Sequence, residues 1–292
     1  MNLLNPDTFD GHALRQWLAS NMDISVYIAA AYLTFVFAGP HYIEKIFKGK
    51  LPVSLVKKVW MVWNLGLSIF SLYGTLIIVP AVVKNFSTRS FYETVCVLRD
   101  EELYTTTVGH ALALFAISKL PEFGDTFFLL FTGKKSLPFL QWFHHVTTYL
   151  FAWMSYQSGS SIFIFAAAMN YFVHTIMYFY FALAEAGFKD WVKPYGIYIT
   201  LLQITQMVGG LFFSGYAVYQ NLTATCPGTS LQVSRTQLMV YICNFYLFSE
   251  MFVKAYVLPQ KRDPWRPSNK KKKNRIIINK KTKGKRKKKI KN

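Results

Sequence analysis

The chain of 292 residues is 52% hydrophobic and 17% aromatic but 16% charged. Its mean hydropathy is +0.22, and soluble globular chains carry roughly 25% charged residues, so an ordinary water-soluble domain is excluded. The formal net charge of +19 sits at one end: residues 261–292 carry +16 and residues 1–260 carry +3. The body is therefore nearly neutral, and no nucleic-acid partner is expected of it.

In chain order, residues 1–23 have no basic segment followed by an apolar one, so no cleaved signal peptide is predicted. The first spanning helix then targets the chain. Apolar runs of roughly 20 residues fall near 24–43, 59–82, 108–131, 138–157, 161–184, 194–218 and 236–258. They predict seven transmembrane helices and an all-α, polytopic membrane protein. The layout is a lumenal N-terminal segment (1–23), a seven-helix transmembrane domain (24–260) and a disordered, basic cytosolic tail (261–292). Four connections at one end are basic, with Lys45, Lys48, Lys50, Lys57 and Lys58, then Lys134 and Lys135, then Lys189 and Lys193, then the tail. The positive-inside rule puts that end in the cytosol and the amino terminus in the lumen.

The sequons at Asn85 and Asn221 both fall on the lumenal side and are glycosylation candidates. Cys96 and Cys226 lie in the same two lumenal loops, where an oxidising compartment permits a disulfide. None of Cys96, Cys226 and Cys243 stands in metal-binding spacing, which removes zinc and iron–sulfur domains. The tail, with Lys270–Lys273 and Lys287–Lys289, is suited to attraction by anionic membrane lipid. It matches a C-terminal dilysine retrieval signal imperfectly.

Polar groups inside spans are costly unless they face a partner or a cavity, so they are functional candidates. Lys119, Glu122 and Thr126 share a helical spacing, with Asp125 beside them; an ion pair stabilising a helix kinked at Pro121 would also explain Lys119 and Glu122. Gln141, His144, His145 and Thr148 lie on one stripe, and Asn170, His174, Met177 and Tyr178 on another. Thr200, Gln203 and Gln206 step by three along the sixth span, as cavity lining or interhelical hydrogen bonds.

Six histidines, with His12, His41 and His110 isolated, are too few for the histidine-rich boxes of membrane di-iron enzymes. No metal is expected. Imidazole without metal can act as a base or attack a thioester to form an acyl-imidazole. A transporter predicts internal symmetry between halves, which is not evident. A seven-span receptor shares the helix count, but its Asp-Arg-Tyr and Asn-Pro-x-x-Tyr signatures are missing.

Residues 24–260 resemble the very-long-chain fatty acid elongases of the ELO (ELOVL) family, the 3-ketoacyl-CoA synthases of the endoplasmic reticulum. KxxExxDT matches at Lys119, Glu122, Asp125 and Thr126; NxxxHxxMY at Asn170, His174, Met177 and Tyr178; TxxQxxQ at Thr200, Gln203 and Gln206. The HxxHH box reads Gln141, His144, His145, a departure shared with some members acting on polyunsaturated chains. Leu137–Leu140 and Met169–Tyr171 look closer to members acting on saturated and monounsaturated chains.

The resemblance implies seven helices enclosing an acyl-chain pocket and a decarboxylative condensation of long-chain acyl-CoA with malonyl-CoA. No cofactor beyond the two substrates is implied. His144 is expected as the nucleophile, with His145 and His174 positioning thioesters and handling protons, and Asn170 donating to the enolate oxygen. Lys119, Glu122, Asp125, Thr126, Gln141, Met177, Tyr178, Gln203 and Gln206 are expected around the substrate. Implied partners are membrane lipid and the 3-ketoacyl-CoA reductase, dehydratase and enoyl-CoA reductase of the cycle; homo-oligomerisation stays open.

Overall fold

A computed structural model describes residues 5–47, 50, 52–97, 101–134 and 136–258, and the basic tail from residue 261, like Lys48, Arg99 and Lys135, lies outside them. The described residues are helical, without strands. The helices are α1 (Gly11–Ser20), α2 (Met22–Phe47), α3 (Val53–Thr88), α4 (Phe91–Cys96), α5 (Thr107–Glu122), α6 (Gly124–Phe131), α7 (Phe139–Gln157), α8 (Phe163–Leu183), α9 (Lys189–Val192), α10 (Gly196–Thr223) and α11 (Leu231–Phe252). Val253–Val257 is a single wide π turn belonging to a separate unit of the chain.

Among the described residues four helical stretches are long and apolar enough to cross a membrane: Met22–Phe47, Val53–Thr88, Phe163–Thr223 and Leu231–Val257. Helices occupy all seven of the expected segments, but α5, α6 and α7 are not among the four. α5 has 16 residues and α6 has 8, and α7 carries Gln141, His144, His145, Thr147 and Thr148, which lower its hydropathy. The third stretch combines α8 and α10 through residues 184–195. There Gly187 has φ 105°, a left-handed conformation that glycine adopts without a Cβ clash.

The bundle buries many polar side chains within an apolar core and exposes many large apolar ones. Along α3, Val62, Ile69, Leu76 and Val83 recur every seven residues and are each about 60% exposed or more, an apolar stripe that water would penalise and lipid would not. The opposite stripe of Asn64, Ser68, Ser71 and Gly74 is buried. It lies along α8, where Ser68 Oγ donates to the Thr175 carbonyl at 2.8 Å. The ring of Tyr171 occupies the place a Cβ on Gly74 would need. Small residues that admit a neighbouring helix are how spans pack without a hydrophobic driving force between them. α10 pairs with α11 in the same way, Gly210 receiving the ring of Tyr241.

One end of the bundle is closed by α1, α4 and three loops. Asp10 caps α1 by accepting from the Ala13 amide at 3.0 Å. Leu14 and Leu18, one turn apart, are buried. Arg15 Nε donates to the Gln157 carbonyl at the end of α7 (3.0 Å), and Trp153 Nε1 donates to the Leu18 carbonyl (2.9 Å). Residues 1–23, expected only as a lumenal segment, thus contain a helix that buries part of the bundle end. A capping box of Ser90 and Glu93 starts α4, and a disulfide joins its last residue, Cys96, to Cys226 between α10 and α11. Ser161 Oγ donates to the Val95 carbonyl at 2.6 Å, and the Gly228 amide to the Cys96 carbonyl at 2.7 Å.

Candidate active site

α5 and α6 meet at Phe123, with Pro121 in the last turn of α5. That break divides the first polar stretch. Lys119 and Glu122 end α5; Asp125 and Thr126 open α6, so the single helical face expected through Lys119, Glu122 and Thr126 does not run on.

Lys119 Nζ donates to Glu122 Oε1 at 2.6 Å and to Asn170 Oδ1 at 2.9 Å. Asn170 Nδ2 lies 3.0 Å from His174 Nε2, and His174 Nδ1 returns to within 3.7 Å of Glu122 Oε1. The four side chains close a ring between α5 and α8, each no more than 7% exposed. Lys119 also lies over the Phe115 ring, 4.2 Å from its centroid. The ion pair considered for Lys119 and Glu122 exists, and it is wired to Asn170 and His174.

The orientation of Asn170 follows from chemistry: an ammonium only donates, so Oδ1 faces Lys119 and Nδ2 must donate to His174 Nε2. His174 is then the acceptor at Nε2 and carries its proton on Nδ1, toward Glu122. Gln141 Nε2 lies 2.8 Å from His145 Nε2, one turn along α7. His144 turns to α11 instead, with Nδ1 3.0 Å from Asn244 Oδ1. Among the described residues His144 is the member of the three imidazoles whose Nε2 has no hydrogen bond.

Beside this network lies a small cavity. Lys119, His144, Thr148, Asn170, Gln206 and Asn244 make its polar lining; Phe115, Phe151, Ala152, Ala166, Met207, Val240 and Tyr241 make the apolar part. His145 and His174 stand behind this lining. An apolar cavity with a few convergent polar groups is the usual form of a small-molecule site.

Other residues expected at the site are bonded elsewhere. Asp125 accepts from Trp63 Nε1 (3.2 Å) and from Tyr178 OH (2.9 Å), and Thr126 pairs with Tyr32 OH (2.8 Å). These bonds anchor α6 to α2, α3 and α8. Gln203 Nε2 contacts Met177 Sδ at 3.1 Å, while Gln206 reaches the cavity. Thr200 Oγ1 donates back to the Gly196 carbonyl. Asn244 belongs to none of the sequence motifs, although an amide within Met239–Phe245 is the same signal that marks Asn170.

At the other end of the bundle, both sequon side chains are engaged. Asn85 Nδ2 donates to Glu102 Oε2 at 3.1 Å, and Asn221 Nδ2 donates to the Ala217 and Thr229 carbonyls at 2.9 and 3.1 Å.

Residues 17–264 match the ELO family, described as the GNS1/SUR4 family. The chain is 45% identical over 274 residues to Fatty acid elongase 1 of Trypanosoma cruzi, covering 89% of this chain and 93% of that protein. Fatty acid elongase 1 of Trypanosoma brucei brucei is 43% identical, covering 87% and 88%. Very long chain fatty acid elongase 6 of Gallus gallus is 34% identical, covering 85% and 90%. A transporter or receptor is not favoured by these likenesses: with a match across most of its length and identities of this size, the chain belongs to the ELO family.

Proposed function

We propose that the protein is a fatty acid elongase, catalysing the decarboxylative condensation of a long-chain acyl-CoA with malonyl-CoA to a 3-ketoacyl-CoA two carbons longer. The observation that carries this reading is His144. It lines a largely apolar cavity beside Lys119 and Asn170, and its Nε2 is free while His145 and His174 have theirs occupied.

His144 Nε2 attacks the thioester carbonyl, the C–S bond breaks and CoA leaves. Malonyl-CoA then loses carbon dioxide, and the resulting enolate attacks the acyl carbon. The C–N bond breaks, its electron pair returns to Nε2, and the 3-ketoacyl-CoA departs. Loss of carbon dioxide drives a carbon–carbon bond formation that is otherwise poorly favourable. Asn170 supplies a donor to the enolate oxygen in exchange for its bond to His174, and Lys119 places positive charge beside the developing anion. The reaction requires no metal or redox cofactor. The aliphatic chain, saturated or monounsaturated in this reading, runs toward Phe115, Phe151, Ala152 and Ala166.

In this reading all seven helical segments cross the endoplasmic reticulum membrane, with the amino terminus lumenal and the carboxyl terminus cytosolic. Two arrangements support it. Among the described residues the connections after the first, third and fifth expected spans meet, where Lys57 pairs with Glu185 at 3.5 Å and the rings of Phe47 and Phe131 touch. The disulfide closes the opposite end. CoA would enter from the basic end, and the ketoacyl product would pass to a reductase, a dehydratase and an enoyl-CoA reductase.

The test is purified protein in nanodiscs with labelled malonyl-CoA and a series of acyl-CoAs. A ketoacyl-CoA two carbons longer, with one carbon dioxide per turnover, is the expected product. Acyl-CoA hydrolysis without chain extension, or no consumption of malonyl-CoA by folded protein with any chain length, would overturn it.

A further inference from the structure

We infer that Asn244 of α11 is a positioning residue that holds His144 in the tautomer with its proton on Nδ1, keeping a lone pair on Nε2 toward the cavity. The inference rests on the proposed role of His144 as nucleophile.

Asn244 is 1% exposed and 100 positions from His144. Its amide has one orientation compatible with its neighbours. Nδ2 donates to the Val240 carbonyl at 2.9 Å, a group that can only accept. Rotating the amide would set Oδ1 against that carbonyl oxygen and would leave Nδ2 facing His144. Oδ1 therefore faces His144 Nδ1 at 3.0 Å, and an oxygen that only accepts requires a hydrogen on that nitrogen. A neutral imidazole has one such hydrogen, so Nε2 is bare. Phe248, one turn further along α11, meets the His144 ring edge-on at 89° with centroids 5.6 Å apart and fixes the plane in which Nε2 points. The arrangement parallels the outer-shell partners that fix histidine tautomers at metal and catalytic sites.

The chemistry gains from it twice. As Nε2 bonds to the acyl carbon and the C–S bond breaks, CoA leaves as the thiolate and the ring becomes a cationic acyl-imidazolium, its Nδ1–H still bonded to Asn244 Oδ1. The amide oxygen thus faces the charge that develops. When the enolate takes the acyl group, the electron pair returns to Nε2 and the same tautomer is restored without proton transfer.

The test separates positioning from packing by the burst of two variants measured beside their stability, and by the tautomer of His144 in the unchanged protein. Aspartate matches asparagine in size and keeps the acceptor oxygen but adds a charge. Leucine has the same branching but is bulkier and has no acceptor, so the melting temperature of N244L is read beside its burst, and a burst lost without a loss of folded protein marks the missing acceptor. Purified protein is mixed with acyl-CoA without malonyl-CoA, and the burst of released CoA is followed by chromatography. N244L is expected to slow the burst by about 10- to 100-fold, the usual cost of losing an outer-shell partner, with the KM for acyl-CoA little changed. N244D is expected to be faster than N244L. N244L at the wild-type rate, or above N244D, would overturn the inference. The ¹⁵N spectrum of the wild-type protein, with His144 assigned by difference against H144Q, reads the tautomer with no change at position 244; protonation at Nε2 would also overturn it. A wild-type protein that elongates without any burst would instead defeat the acyl-histidine reading itself.

Discussion

The disulfide-closed end of the helical bundle and the surroundings of the cavity are both rich in buried polar side chains, and they use them differently. At the disulfide end the bonds run mainly from side chain to backbone: Arg15 to the Gln157 carbonyl, Trp153 to Leu18, Tyr104 to Tyr156 and Ser161 to Val95. Around the cavity they run from side chain to side chain, through Lys119, Glu122, Asn170 and His174 and between His144 and Asn244. Bonds to carbonyls satisfy the ends of helices and hold loops in place. Side-chain networks beside an apolar cavity hold functional groups in set protonation states and leave one, His144 Nε2, unengaged. The distinction separates architecture from chemistry among groups that burial alone does not tell apart.

The largest effect is expected at the cavity. His144→Ala should lower condensation by at least about a thousandfold, as removal of a nucleophile does, with an unchanged melting temperature. His174→Ala should also abolish turnover. Near-wild-type turnover by a His144→Ala protein would move chemistry away from this imidazole. Next comes the buried ion pair. Lys119→Met leaves Glu122 without its cation and should cost about 3–5 kcal/mol, measured by thermal or denaturant unfolding. The double change Lys119→Met with Glu122→Gln should recover much of that stability and none of the activity. Recovery of both would make the pair structural only.

At the disulfide end the expectation reverses. Replacing Cys96 and Cys226 by serine opens a link spanning 130 residues and should cost about 2–5 kcal/mol. The folded fraction should keep its turnover per molecule. A loss of activity without a loss of stability would show that the disulfide end and the cavity are coupled. The smallest effect is expected for Gln141→His, which restores the HxxHH pattern. A histidine there still sits one turn from His145, so turnover should stay within about threefold of wild type.

Much of this contrast was legible in the sequence, because a polar group in an apolar helix stands out without any knowledge of packing. Lys119, Glu122, Asn170 and His174 stand out that way and come together. Asp125, Thr126 and Tyr178 carried the same signal yet bond to Trp63 and Tyr32 or to one another, away from the cavity. Periodicity treats Lys119 to Thr126 as one face, and the interruption at Phe123 leaves Asp125 at Tyr178 of α8, beyond Asn170 and His174, while Thr126 meets Tyr32 of α2. Asn244 is the converse case. It is a lone amide with no motif around it, and its role depends on a partner 100 residues away that only the folded chain brings within 3.0 Å. The helix at Gly11–Ser20 was hidden because it is short and amphipathic, below the length that marks a span.

The central claim is that His144 carries the acyl group, and peptide mass spectrometry tests it most directly. Protein incubated with acyl-CoA alone, then quenched and digested, is expected to bear the acyl mass on His144, and the adduct should vanish when malonyl-CoA is added before the quench. An acyl group found on another residue and discharged by malonyl-CoA, or elongation at full rate with no adduct on His144, would contradict it.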